Sequence, residues 1–158
     1  MRTPATLRTI AQAFGILLPL LVTASDPGQV MVQGRMLASG GDLRQALLVV
    51  EVDGVACHWA HVSARGHFRV ELPEGVHARL VFSSPDRLPK EVLLDTHRAL
   101  DGSEGDRRLE FDVRLESLSR NEGMGYAGPV GHIDFIRGSG TLKVKRSTRL
   151  KAHAHERE

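Results

Sequence analysis

Residues 46–82 limit the choice of fold more than any other part of the chain, because short runs typical of strands alternate there with turn sequences. Over residues 67–72 apolar and polar side chains alternate, so one face of an extended strand can be buried while the other contacts water. The pair Asp53-Gly54 favours the positive φ angles of a tight hairpin. This stretch therefore predicts antiparallel β-structure.

The same pattern extends over most of the chain. The predicted strands span residues 30–37, 46–52, 55–62, 67–72, 76–83, 90–95 and 108–118. Short strands at this spacing, with turns between them and no long helical period, favour two packed sheets. We therefore predict an all-β fold, a seven-stranded antiparallel β-sandwich. The residues predicted to point into its core are Leu48, Val50, Val52, Cys57, Trp59, Phe68, Val70, Leu72, Leu80, Phe82, Val92, Leu94, Phe111 and Val113.

The N-terminus has the pattern of an export signal. A start with two arginines leads into a mostly apolar run over residues 10–22, and small residues precede a predicted cleavage after Ala24. A retained membrane anchor is the alternative, but a stable span needs about 20 apolar residues, and Gln12 and Pro19 interrupt this run. We expect a signal peptide helix that is removed, and a periplasmic or secreted protein.

Three regions are predicted from these features. They are a signal peptide at residues 1–24, a β-sandwich at 25–120, and a C-terminal extension at 121–158 with an edge strand and an irregular basic tail. Cys57 is the only cysteine, so no intrachain disulfide can form, and we predict that its thiol is buried.

Charge is divided unevenly between these regions. The chain has 21 basic and 19 acidic residues, and removing the predicted signal peptide leaves 19 of each. Residues 25–120 hold 12 basic and 15 acidic residues, whereas residues 121–158 hold 7 and 4. Nucleic-acid binding needs clustered basic residues that face phosphates, so a formally neutral mature chain argues against it.

The basic tail is the first candidate binding surface. Its cations are Arg137, Lys143, Lys145, Arg146, Arg149 and Lys151. Such a stretch can attract an anionic envelope component or an acidic protein partner, most strongly at low salt. A solvated, disordered tail is the alternative interpretation.

The order of turn and core residues resembles the carboxypeptidase regulatory-like domain, a transthyretin-like β-sandwich found in exported bacterial proteins. The residues that match its pattern are Gly34, Ala46, Gly66, Phe68, Leu72, Pro73 and Gly75. Val62-Ser63 and Asp86-Arg87 stand where the family usually has Thr-Asp and Gly-Tyr. The resemblance covers residues 30–118 and implies a transthyretin-like or immunoglobulin-like scaffold that acts as an accessory module. It carries over no catalytic residue.

Eight histidines raise the question of a metal site. A catalytic zinc site needs three converging ligands. On a strand, His58 and His61 point to opposite faces, while His58 can share a face with His67 or His77 only if the strand register allows it. The tail pair His153 and His155 has chelating spacing in a terminal segment. We interpret these histidines as solvent-facing and predict no built metal site and no cofactor.

Enzymatic motifs are sparse. The run Ile136-Arg137-Gly138-Ser139 resembles the terminal signature of transthyretin-like hydroxyisourate hydrolases, but isoleucine replaces their tyrosine and the histidine-bearing first strand is missing. The acidic loop at 101–106 lacks the ligand spacing of a calcium helix-loop-helix site. No nucleophile elbow, phosphate loop or metalloprotease helix occurs in the sequence.

The sequence therefore predicts a non-enzymatic, exported accessory, binding or structural protein of the bacterial periplasm or envelope. Its expected partner is another protein or an envelope component. A transthyretin-like hydrolase and a histidine-based metal-binding protein remain the alternatives.

Overall fold

The structure is a computed structural model that describes residues 28–39, 43–102 and 105–152, with the side chains of 56–59 left out. The predicted signal peptide and the histidine pair of the tail lie outside these residues. Within the described ranges, no helix is long and apolar enough to cross a bilayer.

Every regular element in these ranges is a strand, which confirms the predicted all-β class. The strands are β1 (Gln29–Ala38), β2 (Leu47–Val52), β3 (Val55–Ala60), β4 (His67–Pro73), β5 (His77–Ser83), β6 (Lys90–Asp95), β7 (Arg107–Glu110), β8 (Val113–Leu115), β9 (Met124–Tyr126), β10 (Gly131–Ile136), β11 (Thr141–Arg146) and β12 (Leu150–Ala152).

Two main sheets form the body, and both contain parallel pairs. In the first sheet β1 lies between β4 and β7 and also pairs with β8, and in the second the order is β11-β10-β6-β5-β2-β3. The strands β7 and β8 run parallel to β1, and β10 runs parallel to β6. The prediction of seven strands in wholly antiparallel sheets is therefore corrected. After β6 the chain crosses to the first sheet, where it runs in the same direction as β1.

Inward side chains of both sheets meet in one apolar core. Ten of the predicted core residues are buried: Leu48, Val50, Phe68, Val70, Leu72, Leu80, Phe82, Val92, Leu94 and Val113. Val52 and Phe111 are partly buried against that core, and the side chains of Cys57 and Trp59 lie outside the described part. Alternate residues are buried along β4 and β5, as expected for strands that have one face in the core and the other facing solvent.

The predicted last strand of the body is divided into β7 and β8, and a side-chain contact and a close backbone approach explain the break. The carboxylate of Asp112 accepts a hydrogen bond from the backbone N–H of Arg35 at 3.0 Å and pairs with its guanidinium at 2.9 Å, so a side chain replaces part of the ladder. At the same place a Cβ on Gly34 would overlap the carbonyl oxygen of Phe111. Only glycine permits this close approach.

Two strands of the C-terminal extension, β10 and β11, belong to the second sheet, and β9 and β12 form a separate two-stranded sheet. The segment predicted to be an edge strand is β10, but it lies between β6 and β11 and contributes Ile133 and Phe135 to the core, so that prediction is corrected and β11 is at the edge. The stretch predicted to be an irregular tail contains β11, which pairs with β10 over Gly131 to Ile136, and β12, which pairs with β9. The tail prediction is corrected because backbone pairing, rather than buried side chains, orders these exposed strands.

Candidate functional site

Two histidines and an aspartate converge where β5 begins and β6 ends. His77 and Asp95 are directly opposite each other in the antiparallel pair of β5 and β6, and His97 follows two residues later. One ligand atom from each of the three side chains lies within 4.8 Å of the others. We call His77, Asp95 and His97 the histidine cluster.

Contacts within the histidine cluster are close. Nδ1 of His97 lies 2.7 Å from Oδ1 of Asp95, and Nδ1 of His77 lies 3.8 Å from Oδ2 of the same carboxylate. The two imidazole rings are tilted against each other with centroids 4.9 Å apart. The carboxylate therefore lies between one ring nitrogen of each histidine.

Buried Thr96 holds together the two chain segments that carry these side chains. Its hydroxyl oxygen lies 2.9 Å from the carbonyl oxygen of Pro73 and 3.0 Å from that of Val76, so its single proton can be donated to either, and it accepts a hydrogen bond from the N–H of Val76 at 2.9 Å. The N–H of Thr96 also donates to the carbonyl of Val76 at 2.9 Å. Because Thr96 is fully buried, this network fixes the positions of the residues on either side of it.

The hairpin between β2 and β3 fixes the backbone of His77. The carboxylate of Asp53 accepts a hydrogen bond from the N–H of His77 at 3.0 Å, and the N–H of Asp53 donates to the carbonyl of His77 at 2.8 Å. Asp53 and Gly54 have φ angles of 50° and 80°, which confirms the tight turn predicted from their sequence.

The aspartate of the histidine cluster is held as a carboxylate. Burial alone would raise the pKa of Asp95, but hydrogen bonds from the backbone N–H and the ring of His97, together with the nearby His77, outweigh it and lower that pKa. Asp95 thus presents a negative charge to the two imidazoles at neutral pH.

The histidine cluster forms one wall of an open groove of about 860 Å³. Glu74, Gly75 and Arg98 extend this wall. The opposite wall comes from β10, β11 and the turn between them: Asp134, Phe135, Ile136, Arg137 and Lys143. The groove therefore combines side chains from both halves of the second sheet.

The turn that carries Arg137 is anchored from outside the groove. The carboxylate of Asp101 accepts a hydrogen bond from the N–H of Gly138 at 2.6 Å, and the guanidinium of Arg107 donates to the carbonyl of Gly140 at 3.0 Å. Gly138 and Gly140 have φ angles of 80° and 58°, which favour glycine.

Two imidazoles and a carboxylate form a ligand set suited to a borderline transition metal. The side chains of His77, Asp95 and His97 are 70%, 36% and 47% exposed, so an ion held there keeps positions open on its solvent side. The same carboxylate and His97 can also move a proton, since Asp95 orients the ring.

The six cations of the predicted basic tail do not share one site. Arg137 and Lys143 line the groove of the histidine cluster, whereas Arg146 lines a separate apolar cleft of about 410 Å³ between the first sheet and β10 and β11. The other three are exposed: Lys145 lies on β11, Arg149 just before β12, and Lys151 on β12. The six cations therefore do not form the single binding surface that the sequence predicted.

Sequence reasoning considered His77 only as a partner of His58 and otherwise singled out histidines outside the cluster. His61, His67 and His132 are exposed and lie outside the histidine cluster, and the side chain of His58 is not described. His97 was missed, although its spacing from Asp95 in Asp95-Thr96-His97 is the one local signal. The tripeptide Arg137-Gly138-Ser139 forms the β10–β11 turn and brings Arg137 to the same groove as both imidazoles.

A second group of ionisable side chains, Lys90, Glu116 and Tyr126, is called the lysine cluster here. Lys90 is 7% exposed, and its Nζ lies 2.7 Å from Oε2 of Glu116 and 5.2 Å from the ring centroid of Tyr126. The Tyr126 hydroxyl donates to the same carboxylate. Burial would raise the pKa of Glu116, but the hydrogen bonds from Lys90 and Tyr126 outweigh it and lower that pKa. Burial and the Glu116 carboxylate both raise the pKa of Tyr126.

Comparison with known proteins gives matches in structure alone. No protein-family model matches the chain, and no curated protein matches it in sequence. One similar structure is the dioxygenase domain of a dioxygenase carbohydrate-binding protein fusion from Streptomyces sp. SirexAA-E, at 14% identity and a TM-score of 0.42 over 61% of this chain and 85% of that one. Another is catechol 1,2-dioxygenase from Acinetobacter sp. ADP1, at 10% identity and a TM-score of 0.41 over 80% of this chain and 59% of that one.

These neighbours correct one prediction from the sequence. Both are dioxygenases, which contradicts the prediction of a protein that is not an enzyme, and we withdraw that prediction. Likeness at this level assigns no activity to this chain.

Proposed function

We propose that this chain is an exported β-sandwich protein that binds a divalent transition-metal ion, of which zinc is the representative, through His77, Asp95 and His97. The observation that supports the proposal is the convergence of their three ligand atoms within 4.8 Å.

The distances in the histidine cluster suit such an ion. Zinc bonds of about 2.1 Å at tetrahedral angles place neighbouring ligand atoms about 3.4 Å apart. The observed separations are 2.7 Å from Oδ1 of Asp95 to Nδ1 of His97 and 3.8 Å from Oδ2 to Nδ1 of His77, and all three ligand atoms lie within 4.8 Å of one another. An ion would replace the Asp95–His97 hydrogen bond, and the exposed side chains can rotate to bring one ligand atom each to the required separation.

The backbone around the site supports binding over incidental proximity. Buried Thr96 and the Asp53 carboxylate fix the segments on either side of the cluster, so little further backbone freedom is lost when an ion binds. Side chains held in position by other hydrogen bonds are a general requirement of a metal site.

Export and the accessory role belong to the same proposal. The arginine-flanked apolar start of the chain supports export. The turn glycines and Pro73 support a transthyretin-like scaffold of the carboxypeptidase regulatory-like kind. In this proposal the scaffold presents the metal site to a partner or ligand in the periplasm or outside the cell.

Calorimetric titration of the purified full chain, produced without a polyhistidine tag, with Zn²⁺ tests the proposal. We expect one equivalent of zinc at the histidine cluster. His77→Ala and His97→Ala should each weaken that binding on the order of 100-fold, because each removes a ligand.

Two controls separate this site from other histidines. His132→Ala changes an exposed histidine of β10 outside the cluster and should leave zinc affinity unchanged. The double variant with His153→Ala and His155→Ala should also still bind one equivalent of zinc. Zinc binding that survives both cluster substitutions, or disappears with the tail histidines, would refute the proposal.

A further inference from the structure

Three cations reach the groove of the histidine cluster without a carboxylate partner. Arg98, Arg137 and Lys143 line it, and all three are exposed. Within the described residues, no ion pair joins any of them to an acid, whereas Arg35, Arg69 and Arg79 elsewhere on the sheets are all paired. The groove thus collects cations whose hydrogen-bond donors remain available.

A bound metal changes the charge balance of this groove. Its lining holds three cations and three carboxylates, Glu74, Asp95 and Asp134, so these charges cancel when the imidazoles are neutral. A divalent ion would leave a net charge of +2 on the lining. Clefts lined by one net sign of charge attract ligands of the opposite sign.

We propose that the metal-loaded groove binds a small oxyanion, a carboxylate- or phosphate-bearing molecule. One of its oxygens occupies an open position on the metal, and the rest of its charge is held by Arg98, Arg137 and Lys143. This inference rests on the proposed metal site and names its ligand class.

The geometry of Arg98 supports a binding role. It follows His97 directly and has a φ of 65°, a left-handed conformation that costs a non-glycine residue about 1 kcal/mol or more. Strained residues of this kind persist where the surrounding structure holds them, and they are frequent at ligand sites. Here the turn is held by the buried Thr96, whose carbonyl accepts from the N–H of Ala99 at 3.1 Å.

The other two cations lie on an anchored wall. Arg137 is next to Gly138, whose N–H is bound by Asp101, and Lys143 is opposite Asp134 in the pair of β10 and β11. Two guanidinium groups offer planar pairs of donors that match the paired oxygens of carboxylates and phosphates. An uncharged ligand would gain only weaker hydrogen bonds from these three side chains, and a cationic ligand would be repelled.

The size of the groove is consistent with a small molecule. A volume of about 860 Å³ lies within the range of about 300–1,000 Å³ that small-ligand sites occupy. The groove is open to solvent and its cations are exposed, so the affinity should fall as salt screens them.

Titration of the zinc-loaded full chain with inorganic phosphate and, separately, with succinate tests the inference. Free zinc is removed by dialysis beforehand. At least one of the two anions should bind with a stoichiometry of one per chain. The anion that binds with the higher affinity is the preferred oxyanion. The metal-free protein should bind the same anion at least 10-fold more weakly.

The variants remove the cations one at a time. Arg98→Gly removes the charge and keeps a residue that tolerates the φ of 65°, and Arg137→Ala and Lys143→Ala remove the others. Each should weaken anion binding about 10-fold while zinc affinity stays within 2-fold, as expected for charge-assisted hydrogen bonds. Lys145→Ala, on the same strand but outside the groove, is the matched control and should change neither affinity.

The outcomes separate the two proposals. If zinc fails to bind, the proposed function is wrong. If zinc binds at the histidine cluster but neither phosphate nor succinate does, or if the three cation variants bind the anion as the wild type does, only the oxyanion inference is overturned.

Discussion

The histidine cluster and the lysine cluster use ionisable side chains in opposite ways. In the lysine cluster, Lys90 is 7% exposed and a carboxylate and an aromatic ring contact its ammonium. In the histidine cluster the side chains are 36–70% exposed, and among the residues that the structure describes no acid forms an ion pair with the nearby Arg98, Arg137 or Lys143. A buried charge depends on its partner within the fold, because removing that partner leaves an uncompensated charge, whereas exposed donors leave interactions available to a ligand.

The difference follows from position on the second sheet. Lys90 begins β6 and Asp95 ends it, so the two clusters lie at opposite ends of one strand. At the first end, Glu116 and Tyr126 cover the strand. At the second end, the β10–β11 turn lies across a groove and leaves the histidines open to solvent.

Removing the acid of the lysine cluster should have the largest effect on stability. Glu116→Ala leaves the buried ammonium of Lys90 without its anion and the Tyr126 hydroxyl without its acceptor. Breaking a buried pair costs about 3–5 kcal/mol, and the partial exposure of Glu116, 41%, reduces this to about 2 kcal/mol. Chemical denaturation of both proteins measures the change in the free energy of unfolding.

Glu122→Ala is the matched control, because it removes an exposed carboxylate nearby and should change stability by less than about 0.5 kcal/mol. Zinc affinity should be the same in both variants. A Glu116→Ala protein as stable as the control would show that the lysine cluster is not the structural counterpart described here.

Removing one hydroxyl from the same cluster should have a smaller effect. Tyr126→Phe deletes the hydrogen bond donated to Glu116 and keeps the ring over Lys90. Since the ion pair remains, the free energy of unfolding should fall by about 1 kcal/mol. A loss as large as that of Glu116→Ala, measured by the same denaturation experiment, would assign most of the stabilisation to the tyrosine instead of the ion pair.

Local patterns were enough to predict β1 to β6 and most of the core. Alternation with a period of two fixes which side of a strand is buried, and it placed Phe68, Val70 and Leu72 correctly. The turn at Asp53-Gly54 was also predictable, because these residue types tolerate positive φ. Both signals depend only on neighbours in the sequence.

The pairing of distant strands was not predictable in this way. The parallel pair of β10 and β6 joins segments about 40 residues apart, and no local pattern specifies such a partner. The histidine cluster depends on the register that places His77 opposite Asp95 and on the hydrogen bonds of Thr96. Neither was visible in the sequence, so a candidate site that required both was missed.

Substitution in the histidine cluster should have the smallest effect on the metal-free protein. The imidazole of His97 is about half exposed, and its loss removes one hydrogen bond to a carboxylate that water can solvate instead. His97→Ala should therefore change the free energy of unfolding of the metal-free chain by less than about 0.5 kcal/mol. With zinc at 100 times its dissociation constant, the wild type should gain about 2.7 kcal/mol while the variant gains little. A metal-free variant destabilised as strongly as Glu116→Ala would mean that this cluster, too, stabilises the fold, and the contrast between the two ends of β6 would disappear.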